Sequence, residues 1–176
     1  AEAIGSGYDL FELSENGRLD AMFYGGVQID RHGNLNLTRV GGFRGPGLAN
    51  ISFAVVAKRI YLYSMAHTRR TFVDKVEYLT APGHLDGGDS RARQGIRTEG
   101  PVFCITPLTA LEFTAATREL SVRSLHHGIS AEQVIENTGF ALPQPPPWPE
   151  TPPPSREELE ALRTVVDPGG SLRSGR

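Results

Sequence analysis

Two glycine clusters, Gly25-Gly26 and the run GGFRGPGLAN over residues 41–50, each follow a short apolar stretch. Each cluster therefore puts bare backbone amides at the edge of a sheet, where they can cradle an anion or the oxyanion formed when a nucleophile adds to a carbonyl. The same glycines can equally serve turn geometry alone. The candidates for ligand contact are Gly25, Gly26, Gly45, Gly47, Ala49 and Asn50, whose small side chains admit a close approach. Asn50 can also cap a following helix by accepting from an amide two or three residues on. Neither cluster is a dinucleotide fingerprint or a phosphate loop: Arg44 precedes Gly45, where a phosphate loop carries a lysine after its last glycine. Gln28 and Asp30, between the clusters, can orient the glycine turn or a substrate carboxylate, or simply hold a turn by hydrogen bonds.

The other reactive residue types are scattered. His126 and His127 are adjacent, so on a strand they point to opposite faces, and His32, His67 and His84 lack ligand spacing; no metal is expected. Cys104, the single cysteine, sits in the apolar stretch PVFCIT and reads as an inert buried thiol. Arg69, Arg70 and Lys75 can meet phosphates or form a solvated edge.

The elements that must position these residues are short. Residues 19–27 read as a buried strand closed by Gly25-Gly26. A tight turn at residues 31–34 leads into an alternating strand with Leu35, Leu37 and Val40. Residues 51–57 fit a short helix or a buried strand, residues 59–64 a strand, and residues 75–80 another strand ended by Pro82-Gly83. The polar, glycine-rich stretch 84–100 reads as an exposed loop. Residues 102–105, 108–113 and 120–125 have the spacing of a meander. Ser130 with Gln133 is a capping-box pattern, and Gly139 should stop that helix. Eight of the 13 prolines fall in residues 143–154, an extended strap. Ser155 then caps a last helix whose stripe is Leu159, Leu162, Val165 and Val166. Residues 1–142 thus form one α/β or mixed domain, 143–154 a strap, 155–168 a helix packed on that domain or a partner with Trp148 as anchor, and 169–176 a tail.

Of the 176 residues, 39% are hydrophobic and 22% charged, which suits a globular chain. The net charge of −2 offers no basic excess to nucleic acid or an anionic membrane. The longest apolar run, residues 51–57, is far below the roughly 18 residues that span a bilayer. A cytoplasmic protein is expected. The chain opens at Ala1 without methionine, which reads as a truncated or processed N-terminus.

The blocks GGVQIDRHGNLNLT, GPGLAN, HTRRTFVDKVEYLTAPGHLDG, GISAEQVIENTGFAL and VVDPGG, in this order across residues 23–170, resemble the B (beta) subunit of the glutaconate type among family I coenzyme A-transferases. Leu48 stands where that family more usually has glycine. The resemblance implies an α/β fold with a mainly parallel sheet and flanking helices, lacking its N-terminal portion. It implies an alpha-type partner subunit and a site at their interface. It also implies coenzyme A as substrate with no tightly bound cofactor, and transfer between an acyl-CoA and a carboxylic acid through a glutamyl-CoA thioester. The nucleophilic glutamate is expected upstream of this chain, so no catalytic residue is assigned within it. Ser14-Glu15-Asn16-Gly17 spells the signature of the 3-oxoacid branch but lies too close to Gly25, and Glu15 reads as a surface turn residue. The rival readings are an acyl-CoA hydrolase of the same fold lacking the glutamate, and a noncatalytic structural partner.

Overall fold

A computed structural model describes residues 5–46 and 50–171, with 50 and 51 described by backbone alone. In chain order the first elements are α1 (Gly7–Glu15), β1 (Ala21–Tyr24), β2 (Gln28–Asp30), β3 (Leu35–Asn36), β4 (Arg39–Val40), β5 (Phe43–Arg44), α2 (Asn50–Val56) and β6 (Arg59–Tyr63). There follow β7 (Phe72–Val73), α3 (Ser90–Arg93), β8 (Pro101–Ile105), β9 (Thr109–Phe113), β10 (Leu120–Leu125), α4 (Ala131–Asn137) and α5 (Arg156–Ala161), which runs into a wider turn at Leu162–Val166.

The main sheet has the order β1-β6-β8-β9-β10. It is parallel from β1 to β8 and antiparallel from β8 to β10. The antiparallel half is the predicted meander. A three-stranded sheet, β3-β2-β7, stands beside it. Alternation sets the burial: Ile60 and Leu62 of β6 are buried while Arg59 and Tyr63 are exposed, and Ile29, Leu35, Phe72, Cys104, Leu111 and Leu120 complete one continuous core. The opposite face carries an aromatic ladder across the strands, Phe23 on Tyr61 (4.9 Å) and Tyr61 on Phe103 (6.3 Å). The Arg123 guanidinium closes it, 4.8 Å from the Phe103 ring centre.

Capping boxes start three of the helices, α1, α4 and α5. Ser6, Ser130 and Ser155 each accept from the amide three residues on, and Asp9, Gln133 and Glu158 bond back to the cap amide. Glu15 is the exposed last residue of α1, and Gly17 turns the chain away with φ +67°. The proline-rich strap runs along β10: the Leu125 amide donates to the Pro149 carbonyl and the Thr151 amide to the Leu125 carbonyl. Half-buried Trp148 packs on the core there.

Four expectations require correction. The strand in residues 19–27 is β1, which among the described residues is an edge strand paired with β6 alone, so Phe23 is exposed although Tyr24 is buried. Residues 75–80 form no strand, because β2 already has β3 and β7 on its two sides. That segment is held instead by the Gln28 side chain at Glu77 and by the Leu35 carbonyl at Thr80. Residues 84–100 are not an exposed loop: His84, Gly87, Ser90, Arg91 and Gly100 are buried, and α3 lies within the stretch. The stripe Leu162, Val165 and Val166 is exposed, and no residue of α5 is buried. Leu159 and Leu162 instead line an open groove together with Pro152, Pro153 and Pro154.

Candidate functional site

The carboxyl ends of parallel strands are where open α/β sheets bind ligands, because the loops leaving them diverge around a crevice. Here the loop after β1 supplies Gly25, Gly26 and Val27, and the loop after β6 supplies Ser64, Met65 and Ala66, to a cleft of about 690 Å³. Phe23, Leu37, Tyr63 and Thr71 stand beside them.

The two glycines are required by packing as well as by the cleft. Here the chain leaves the main sheet for the small one, squeezed between two carbonyls. A Cβ on Gly25 would run into the Tyr63 carbonyl oxygen, and one on Gly26 would lie 2.8 Å from that of Asn36. Gly45 is similarly pressed on the Leu37 carbonyl, which its own Cβ would strike, and its amide donates to Thr38 (2.8 Å). The candidates Gly47 and Ala49 lie outside the described residues. So does the Asn50 side chain with its predicted cap, although the backbone of Asn50 begins α2.

The polar residues of QIDRHGNLN build the support below the cleft. The Gln28 amide nitrogen donates to Glu77 (3.0 Å), and its oxygen accepts from Asn36 (2.8 Å) and from the Glu77 amide (3.1 Å). Gln28 is thus buried and engaged, and does not line the cleft; it holds the turn behind Gly26. Asp30 accepts from the amides of His32 and Asn34 and from the Asn34 side chain, each at 3.0 Å. Burial nevertheless raises its carboxyl above the ordinary range, outweighing those bonds. Asn34 in turn accepts from the amides of Gly83 and Leu85, docking residues 83–85 on the turn.

Residues to which the sequence reading gave no role in the site complete the support. His67 stacks on Phe72 at 4.2 Å and bridges the Thr106 and Thr138 hydroxyls, fixing the loop that carries Met65 and Ala66. Burial lowers its imidazole to about 4. His84 meets the Pro101 carbonyl at 2.9 Å and the edge of Phe113, and burial lowers it to about 4 as well. Buried Arg91 donates to the carbonyls of Ala54, Pro82, Gly83 and Thr98 and to the Thr98 hydroxyl. The Tyr24 phenol behind Gly25 is held high by burial, against the opposing charge of Arg91. The only sequence signal for the loop after β6 is its place after an apolar strand parallel to β1.

The remaining candidates stay apart from the cleft. Arg69, Arg70 and Lys75 are exposed. His126 reaches Thr106 and Thr151 while His127 reaches Glu150, so the pair does not converge. Cys104 is fully buried, and burial raises its thiol. Among the described residues no group of His, Cys, Asp or Glu is arranged to hold a metal ion, and no helix is long and apolar enough to cross a membrane.

Three known proteins resemble this chain closely. The B subunit of 3-oxoadipate CoA-transferase from Pseudomonas knackmussii is 40% identical over 86% of this chain and 60% of its own length. The B subunit of glutaconate CoA-transferase from Acidaminococcus fermentans is 32% identical over 93% of this chain and 63% of its own. The crystal structure of the latter transferase superposes with a TM-score of 0.85 over 99% of this chain and 70% of that one, at 28% identity. Rhodococcus jostii IpdAB, whose IpdB component is named a cholesterol ring-cleaving hydrolase, superposes with a TM-score of 0.80 at 27% identity, over 95% of this chain and 68% of that one. The chain therefore spans somewhat under two thirds of the length of the curated relatives it matches. The family described as coenzyme A transferase matches residues 2–137, and the fold agrees with it: the chain belongs to the coenzyme A transferase family.

Proposed function

We propose that this chain is part of the beta-type subunit of a coenzyme A-transferase. With an alpha-type subunit, in the cytoplasm, it moves coenzyme A between an acyl-CoA and a carboxylic acid. The observation that carries the reading is the glycine-floored cleft at the carboxyl ends of β1 and β6, in a chain of this family. The names of the relatives, two B subunits and the paired IpdAB, support a second subunit.

A glutamate carboxylate from outside residues 1–176 adds to the thioester carbonyl, and coenzyme A leaves as thiolate while an anhydride forms. The thiolate then attacks the glutamyl carbonyl of the anhydride, which frees the first acid and leaves a glutamyl thioester. The acceptor carboxylate runs the same steps backwards. Gly25 and Gly26, with Gly45, Gly47, Ala49 and Asn50 on the second loop, let the reacting carbonyl approach the backbone, whose amides stabilise the tetrahedral oxyanion. Gln28 positions the turn. The apolar rim of Phe23 and Met65 keeps water from the thioester.

The test is acyl exchange by the full protein purified with its alpha-type subunit. Transfer of coenzyme A from an acyl-CoA to an added carboxylate, without net release of thiol, is expected. Release of free thiol with no exchange refutes transfer and supports acyl-CoA hydrolysis instead.

A further inference from the structure

We infer that the hairpin of β4 and β5 receives the phosphates of coenzyme A on Arg39 and Arg44, a subsite that rests on the coenzyme A-transfer reading above. The register sets the two arginines directly opposite each other, so their side chains share one face of the ribbon while Val40 and Phe43 share the other. Like charges in that relation weaken a strand pair. Both arginines are exposed, and among the described residues neither is ion-paired to a carboxylate. Glu77 is the acidic group nearest in effect. Its carboxyl is held low first by the Gly41 amide (2.9 Å) and then by Gln28 (3.0 Å), with the Arg39 charge as a smaller influence. Glu77 thus pins the tip of the hairpin and leaves both guanidinium groups free to bond elsewhere. Two planar forks on a fixed ribbon suit phosphate, whose oxygens accept from both.

The position suits coenzyme A. Leu37 lines the cleft between the β1 and β6 loops, and Arg39 stands two residues, about 7 Å of extended chain, beyond it. The Gly45 amide closes the base of the hairpin on the Thr38 carbonyl (2.8 Å), which holds Arg44 level with Arg39. Neither arginine lines the cleft itself, so the pair meets the part of a substrate that projects from it. With the thioester over Gly25 and Gly26, that part is the phosphate-bearing end of coenzyme A, at the far end of the pantetheine arm.

The experiment compares the acyl-CoA active in the exchange assay with the S-acyl-pantetheine of the same acid, which keeps the thioester and arm but has no phosphate. The full protein assembled with its alpha-type subunit is used. Arg39→Gln and Arg44→Gln should each lower kcat/KM for the acyl-CoA by about 10-fold, through KM, and for the acyl-pantetheine by less than about 2-fold. Each variant removes a like-charge neighbour, so its urea midpoint should hold or rise. Equal losses with both donors overturn the subsite and assign the pair to the acyl group or to the shape of the cleft. Unchanged kinetics with the acyl-CoA overturn it as well, and loss of assembly with the alpha-type subunit does so by giving the arginines to the partner. Thiol release without exchange removes the transfer reading alone, since the same two donors, scored by thiol release, still decide the phosphate contact. Turnover of no acyl-CoA removes both.

Discussion

The two buried histidines make acid the most informative perturbation of this fold. His67 and His84 are held at about 4 in the folded chain against an ordinary 6.5, first of all because burial disfavours the charged ring. The neighbours of His67 are the hydroxyls of Thr106 and Thr138 and the Phe72 ring; those of His84 are the Pro101 carbonyl and Phe113, with Arg118, Arg91 and His32 adding positive charge nearby. Between pH 6.5 and about 4 each ring is protonated in the unfolded chain and neutral in the folded one, so the unfolded state binds more protons. Stability is therefore complete above 6.5 and lost as pH falls towards 4, at about 1.4 kcal/mol per pH unit per histidine. From pH 6.5 to pH 5 the loss is about 2 kcal/mol for each and about 4 kcal/mol for the pair. Asp30 works in the opposite sense, since its raised carboxyl takes up a proton more readily in the fold. Urea unfolding at pH 7.5 and pH 5.0 measures the sum. His67→Gln, whatever it does to absolute stability, should roughly halve the histidine loss. The direct reading is the imidazole Cε1–H resonance, which for both residues should keep its neutral position at pH 5.5. Two rings that titrate near 6.5 in the folded protein would refute the argument.

Two further outcomes follow from packing. Arg91→Lys keeps the charge but loses the planar fork that reaches four carbonyls, and should lower stability by about 3 kcal/mol, or roughly 6–12 °C in a calorimetric scan. Gly33 and Gly41 both have positive φ, yet a Cβ on Gly33 would lie 2.6 Å from the Phe113 ring while one on Gly41 meets nothing within 4 Å. Gly41→Ala should cost about 1 kcal/mol, and Gly33→Ala clearly more, in matched urea titrations.

What is legible in the sequence is local. The serines at 6, 130 and 155 cap helices whatever lies around them, though only the last two stand out by their pattern, and the meander of β8, β9 and β10 follows from turn spacing. Gly25-Gly26 stands out by composition, and the cleft lies there. The opposite wall does not, because Ser64, Met65 and Ala66 carry no glycine or charge signal and matter only through the parallel pairing of β1 with β6. Residues 75–80 alternate like a strand, but whether they pair depends on β2 having a vacant side, which no local pattern records. The stretch 84–100 looks solvated because its polar groups find partners far away in the chain, such as Arg91 with Ala54. Gln28 and Asp30, open to two readings, have their acceptors filled by neighbouring turns.

The carbonyl-bound Arg91 also bears on the order in which the chain assembles. Its guanidinium ties its own segment, through residues 82, 83 and 98, to the distant Ala54 of α2, and stripping its water is favourable only when those oxygens are in place. Losing the bond that ties this stretch to α2 is expected to speed unfolding more than it slows refolding, which would make residues 84–100 a latch on the lifetime of the fold, read out by the two arms of a urea chevron for Arg91→Lys.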